Sequence, residues 1–283
     1  MRPQYPVRLV CSALRVSVSG YYAWRGRIPS GKTAGLSAQV LAAHDRTRGT
    51  YGALRLYKEL VSSGCAISLW KVRRLRRELG LVCKRKRRVV RTTDSNHTLP
   101  TAPNLLNRNF APGERNRVWV SDITYIPTRQ GWLYLAGIKD VYSREIVGFS
   151  LSSRMDANLV MCALTRAMRL HRPPAGLILH SDRGSQYCSA TYQNKLKSYG
   201  VVCSMSRKGD CYDNAPMESF WGLLKNELVH GRAYKTHCEA ITDLTEYIEV
   251  FYNRQRRQAA LGYLSPAAFV RKTLTESAPA IAA

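Results

Sequence analysis

Apolar positions change their spacing along this chain. From Tyr5 to Gly80 they recur at helical intervals, and from Val118 to Ser152 they come in short β-branched and aromatic runs. After Met155, helix-like and strand-like segments alternate. Residues 5–26 (YPVRLVCSALRVSVSGYYAWRG) predict two short helices around a turn, with Ser17 as N-cap of the second, and 27–35 read as a linker. Within 36–80 the pattern predicts three helices, LSAQVLAAHDRT, YGALRLYKELVSSG and ISLWKVRRLRRELG, with a turn at Gly64. Ser68 is the expected N-cap of the last and Gly80 its C′ residue. Leu69, Val72, Leu75 and Leu79 share one face of that helix, and Lys71, Arg73, Arg74, Arg76 and Arg77 occupy the others. A short helix, a glycine-containing turn and an arginine-loaded second helix follow helix-turn-helix logic. An ordinary three-helix bundle with a basic exterior is the alternative, and the arginine density favours DNA binding.

Residues 81–91 (LVCKRKRRVVR) extend the basic region through Lys84, Arg85, Lys86 and Arg87, and the aperiodic, proline-containing 92–117 read as a linker lying over a surface. VWVSDITYIPT, GWLYLAGIKDVYS and REIVGFSLS predict an antiparallel meander. Trp119, Trp132 and Tyr134 are expected in its core. A helix follows over 155–171, with Leu159, Cys162, Ala163, Met168 and Leu170 inward or nearly so. GLILHSD (176–182) is an apolar strand of the kind covered on both faces; then come a helix ending at Gly200 and the strand VVCSMS. DNAPMESFWGLLKNE predicts a helix capped by Asn214, with Met217, Phe220, Trp221, Leu224 and Leu228 as its core stripe, and 237–256 a further long helix. The order βββαβαβα predicts an α/β fold, a mixed five-strand sheet with helices, which fits a ribonuclease H-like core behind an all-α helix-turn-helix region. The expected division is 1–35, a short helical segment; 36–91, the helix-turn-helix domain with its basic extension; 92–117, linker; 118–256, the α/β core; and 257–283, a C-terminal extension with a frayed tail.

Charge adds a partner to this outline. The chain has 283 residues and a net charge of +25, with 22 basic and only 4 acidic residues in 1–110. So basic an N-terminal third implies a polyanion. No apolar run is long enough for a membrane span and the N-terminus has no signal-peptide core, so no membrane partner and a cytoplasmic location are expected. The eight cysteines form no C-x-x-C, which argues against zinc and for reduced thiols.

Within this basic chain three acids stand where catalytic groups belong. Asp122 interrupts an apolar first strand, Asp182 ends the fourth, and Glu218 opens the helix after the fifth. Glu227, nine residues further on, is roughly half a turn away, so at most one of the two glutamates can face a shared site. Three clustered carboxylates would repel one another without a cation. They suit hard, oxygen-seeking ions, and two Mg2+ ions about 4 Å apart (Mn2+ could substitute) are the expected cofactors of phosphodiester chemistry. Lys225 and Gly222 lie near the face of Glu218, where a DNA phosphate could approach. His180, Arg183 and Gln186 flank Asp182 as further DNA-positioning candidates, Asp140 reads as structural or supporting, and NRQRRQ (253–258) either meets DNA or ends a helix favourably.

Asp182 and Glu218 are separated by 35 residues, and Asp122, Asp182 and Glu218 thus resemble the D, D-35-E pattern of retroviral integrases and related transposases. The strings VWVSDITYIPT, HSDRGSQYCS, SMSRKGDCYDNAPMESFWGLLKNE and YIEVFYNRQRRQAALGYLSPAAF resemble the second-frame (OrfB) proteins of insertion-sequence transposases of the IS-three family, and YGALRLYKELVSSG through VRRLRRELGL resembles their helix-turn-helix region. The resemblance implies a DDE transposase with Asp122, Asp182 and Glu218 as metal ligands. It would bind terminal inverted repeats and target DNA, hydrolyse one strand to free a 3′-OH and join that 3′-OH elsewhere. It further implies a homo-oligomer on DNA in a bacterial, nucleoid-associated setting. Proteins of that family are commonly made as a fusion behind a first-frame (OrfA) segment with a leucine zipper, so the resemblance also implies an OrfA protein, or a fusion with it, as a candidate partner; this chain itself shows no heptad run. A catalytically silent DNA-binding remnant that represses transposition and a structure-specific nuclease are the competing readings.

Overall fold

A computed structural model describes residues 5–26, 31–83, 100–207 and 211–277. Lys84, Arg85, Lys86 and Arg87, like the tail after Ser277, lie outside the described residues.

Helices α1 (Val7–Ala13) and α2 (Val18–Arg25) form the expected pair, and the Ser17 hydroxyl accepts the Gly20 N–H at 3.0 Å. Helix α3 (Gly31–Arg46) begins within the expected linker. GKTAG contains no proline, and its two glycines weaken a helix by only about 1 kcal/mol each, so the helix runs back through them. With α4 (Ala53–Ser62) and α5 (Leu69–Glu78) it encloses Val40, Ala43, Leu56, Leu60, Val72 and Leu75. Ser68 caps α5 by accepting the Lys71 N–H at 3.2 Å, and Gly80 follows it in the left-handed region at φ +63°.

Strands β1 (Val118–Thr128), β2 (Gly131–Asp140) and β3 (Ile146–Ser152) form the antiparallel meander. Helix α6 (Ala157–His171) leads to β4 (Ile178–Ser181), and α7 (Ser185–Cys188) and α8 (Ala190–Ser198) lead to β5 (Val202–Met205). The sheet order is β3-β2-β1-β4-β5, with β1, β4 and β5 mutually parallel, as expected of a ribonuclease H-like core. One face carries α6 and α8. The other carries α9 (Ala215–Glu227), α10 (His237–Glu246) and a π-helical continuation, Tyr247–Gln255; α11 (Pro266–Ser277) follows.

Two glycines let these helices approach. A Cβ on Gly137 would stand 2.8 Å from the Trp221 ring of α9, and one on Gly148 would stand 2.5 Å from the Ala163 carbonyl of α6. The π-helical segment also serves the sheet edge. Asn253 accepts the Ile146 N–H at 2.9 Å and donates to its carbonyl at 3.0 Å, standing in for a neighbouring strand.

The expected core positions divide. Leu159 and Ala163 are buried, but Cys162 is exposed and Leu170 is 65% exposed; Val160, Leu164 and Ala167 complete the buried stripe instead. Trp119 is fully buried, whereas Trp132 is 52% exposed near the tip of the β1–β2 hairpin, edge-on to Tyr125 at 5.0 Å. Alternation gives the strand face but not where the covering helices stop. The linker is a strap along β5: Leu105 N–H meets the Ser204 hydroxyl at 2.9 Å, and Leu106 is buried.

Gly148→Ala should destabilise the chain by about 1–3 kcal/mol in urea unfolding, because the obstruction is backbone rather than a flexible side chain. An unchanged midpoint would show that α6 can withdraw.

Candidate active site

The register of the parallel pair builds the site. Val120 on β1 pairs with His180 on β4 as the last residues in that ladder. Asp122 and Asp182 each stand two residues beyond this pair, so a parallel ladder brings both to the crevice where the strands part. On its other side β1 continues against β2, with Asp122 opposite Gly137, and the side-chain-free Gly137 admits α9.

Asp122 is half-buried. One carboxylate oxygen accepts the Ile123 N–H at 2.9 Å and the other the Trp221 indole N–H at 3.0 Å. Asp182 accepts the Gly184 N–H at 2.9 Å. Burial pushes the Asp122 carboxyl well above the usual range, the Asp182 charge adds to the rise, the two hydrogen bonds oppose it, and Glu218 contributes a smaller upward push. Glu218 lies exposed in the first turn of α9. Asp122 therefore responds to both other acids, Asp182 the more strongly. Among the described residues, no three His, Cys, Asp or Glu side chains are gathered closely enough to hold a metal ion. The donors that the crevice offers are carboxylate oxygens, a chemistry that fits Mg2+ or Mn2+.

Flanking candidates sort by where they point. His180 is buried, bonded through its two ring nitrogens to Ser204 at 2.9 Å and Ser206 at 3.1 Å, and burial lowers its pKa to about 4. It is a neutral strut within the sheet. Arg183 donates to the Ser206 carbonyl at 2.7 Å and Gln186 to that of Met155 at 3.1 Å. Asp140 accepts from Ser143 and from the Asn116 N–H, shaping the turn after β2. Lys225 lies toward the acids: its ammonium sits 4.8 Å from the Tyr125 ring centroid, burial lowers its pKa, and the Asp122 charge raises it.

The start of α9 is pinned by Asn214, in a role other than the expected cap, and by Lys139 and Asp213, which the sequence did not single out. Asn214 makes no cap; its amide donates to the Ser121 carbonyl at 3.0 Å, tying the helix start to the residue before Asp122. Lys139, buried and lowered to about 7 by that burial, donates to the Pro216 carbonyl at 3.0 Å. Asp213 is buried with Arg207, Arg108 and Asn104 around its carboxylate, which holds it far below the usual carboxylate range. A lysine inside an apolar strand was the one visible signal. At the other end of α9, Glu227 is buried against Arg256 at 2.6 and 2.8 Å and the Tyr247 hydroxyl at 2.7 Å. Its role is structural, and its burial excludes a surface one.

In the helix-turn-helix, Arg73, Arg74 and Arg77 are exposed and Lys71 is half-buried. Arg74 pairs with Glu78 at 2.7 Å. Arg76 differs from the solvent-facing role expected of it: it folds back on the Leu81 carbonyl at 3.3 Å and the Cys83 thiol at 3.0 Å because it sits beside the packed face of α5. NRQRRQ is mostly internal, with Arg257 bonded to Glu59 at 2.6 Å across the seam between α4 and the C-terminal segment.

Integrase core domain families match residues 112–211 and 218–274, and an HTH-like domain family matches 32–89. The Shigella sonnei protein "Insertion element IS600 uncharacterized 31 kDa protein" is 53% identical over 93% of this chain and 98% of its own length. The Escherichia coli K12 "Transposase InsF for insertion sequence IS3A" is 40% identical over 96% of both chains. The chain belongs to the IS-three family of insertion-sequence transposases. The solved HTLV-2 integrase catalytic core in complex with magnesium is a distant likeness, at TM-score 0.42 and 17% identity, covering 55% of this transposase and 96% of that chain.

The transposase carries an electrostatic cost at Asp122. Its folded pKa lies above its unfolded value, so the penalty is absent below about pH 4 and grows as the pH rises toward the folded value. Asp182→Asn keeps an acceptor for Gly184 and removes the neighbouring charge. In metal-free urea unfolding it should stabilise the chain by about 1 kcal/mol at pH 8 and by nothing measurable near pH 4. Equal effects at both pH values would contradict the coupling.

Proposed function

We propose that this transposase carries out Mg2+-dependent cleavage and strand transfer at the ends of an insertion sequence, with Asp122, Asp182 and Glu218 as its metal ligands and catalytic residues. The observation that carries the reading is the pair of aspartates placed side by side just past the Val120–His180 pair, with Asp122 raised in pKa by burial and then by the Asp182 charge. A cluster that costs stability without a cation marks a site that functions with one. Two Mg2+ ions, when bound, supply activation of the attacking hydroxyl and stabilisation of the leaving 3′ oxygen.

The chain supplies orientation. Trp221 and the Ile123 N–H aim the Asp122 carboxylate, and the ties from Asn214 and Lys139 fix where α9 begins and so where Glu218 projects. Lys225, held over Tyr125, provides a cation for a DNA phosphate beside Asp122. Lys71, Arg73, Arg74 and Arg77 give the helix-turn-helix its DNA-facing charge, and Lys84, Arg85, Lys86 and Arg87 extend it. In the first step water attacks the phosphodiester at the element end; the 3′-oxygen leaves with a proton as a free 3′-OH. In the second that 3′-OH attacks another phosphodiester, so one bond forms as one breaks and no external energy source is needed. The reading takes terminal repeats and target DNA as substrates, a homo-oligomer on DNA as the working form, an OrfA protein as companion or fusion partner, and a cytoplasmic, nucleoid-associated setting. No helix among the described residues is long and apolar enough to cross a membrane.

Glu218→Gln should lower both cleavage and joining of a repeat-ended duplex more than about 100-fold while leaving duplex binding intact. Binding without cleavage by the unmodified protein would favour the repressor reading, and cleavage without joining the nuclease reading. Trp221→Phe keeps an aromatic ring on α9 but removes the donor to Asp122; a rate loss of about 10- to 100-fold is expected, and full activity would deny the indole an orienting role.

A further inference from the structure

A second charged site lies away from the carboxylates, between the helix-turn-helix domain and the C-terminal segment. A cavity of about 320 Å³ opens there, lined from α3–α4 by Arg46, Tyr51 and Glu59, from the π-helix end by Arg254 and Arg257, and from α11 by Arg271. Four guanidinium groups thus face one carboxylate. Glu59 is shared between Arg46 at 3.1 Å and Arg257 at 2.6 Å. Arg254 and Arg271 are exposed and make no ion pair among the described residues. Acids on neighbouring turns are engaged elsewhere: Glu246 with Arg48, Glu249 with Arg166, and Glu276 with Lys272.

The cavity is held in shape. Arg257 also donates to the Tyr263 carbonyl at 3.0 Å, and the buried Tyr51 hydroxyl accepts its backbone N–H at 2.7 Å. We propose that this cleft is a DNA-backbone subsite that grips a phosphodiester phosphate through Arg254 and Arg271, with Arg46 and Arg257, both paired to Glu59, lining the same cleft. Like charges gathered in a concavity focus a positive potential, and guanidinium forks match phosphate oxygens. Half the cleft belongs to the helix-turn-helix and half to the segment behind the catalytic core, so one strand of backbone seated there would touch both. The proposal rests on the reading of the chain as a transposase acting on DNA and adds a contact outside the helix-turn-helix helices.

The test is the double reversal Arg254→Glu/Arg271→Glu in the full chain, titrated against a repeat-ended duplex by fluorescence anisotropy from 50 to 300 mM salt. Affinity should fall at least about 10-fold at 150 mM, and the log–log salt slope should flatten by about two. The control Arg169→Glu/Lys197→Glu makes the same charge change on α6 and α8, across the sheet, and should leave the slope within about half a unit of the original. A variant slope equal to that of the unmodified protein, or equal flattening by the control, would overturn the proposal. So would a site for free phosphate: 20 mM inorganic phosphate raising the melting temperature of the unmodified protein but not of the double reversal, with duplex affinity equal in both. Unmodified protein that binds the duplex but fails to cleave or join it with Mg2+ would sink the functional reading instead, and the slope comparison would still decide the subsite.

Discussion

Two carboxylates side by side in a half-buried crevice are an unfavourable arrangement, and the rest of the catalytic core is organised around it. The parallel ladder of β1 and β4 ends at Val120 and His180, and two residues further along the chain from each stands an aspartate. Nothing in the sheet demands this; apolar residues there would be more stable. The crevice is nonetheless rigid, because Asp122 is fixed by a backbone N–H and an indole, and Asp182 by the N–H of Gly184. Rigidity without charge balance is what the proposed cation site requires.

Helix α9 carries two jobs at opposite ends. Its start is tied to β1 and β2 by Asn214 and Lys139, and its end by the buried Glu227–Arg256 pair with Tyr247. Breaking such a buried pair costs about 3–5 kcal/mol, so Glu227 is as constrained as any core residue. Through Arg256 the helix meets the C-terminal segment, and through the adjacent Arg257 that segment meets Glu59 of the helix-turn-helix domain. DNA-binding and catalytic parts therefore share a continuous set of polar contacts.

Much of this was legible in the chain. Helical and strand periods located the elements, since each buries one face, and the 35-residue spacing with the early-helix position picked Glu218 over Glu227. What periodicity does not encode is where cover ends. Trp132 reads as core because it alternates correctly, yet the strand outruns its helices there. Asn214 has the right residue type for a cap, but its amide found a closer partner in Ser121. Arg76 and the 253–258 string show the same limit: charge density predicts a polyanion, while packing decides which guanidinium groups reach it and which hold the protein together. The pinning lysine under α9 was visible as a charged residue in an apolar strand and needed the register to gain meaning.

If Asp122 and Asp182 hold a cation as proposed, metal entry must displace the proton that burial and the neighbouring charge keep on Asp122. Calorimetric titration of Mn2+ into the protein with repeat-ended duplex, repeated in buffers of different ionisation enthalpy near pH 7, measures it directly. Binding with release of close to one proton is expected, and loss of both in Asp182→Asn. Binding that releases no proton, or that survives Asp182→Asn unchanged, would contradict it.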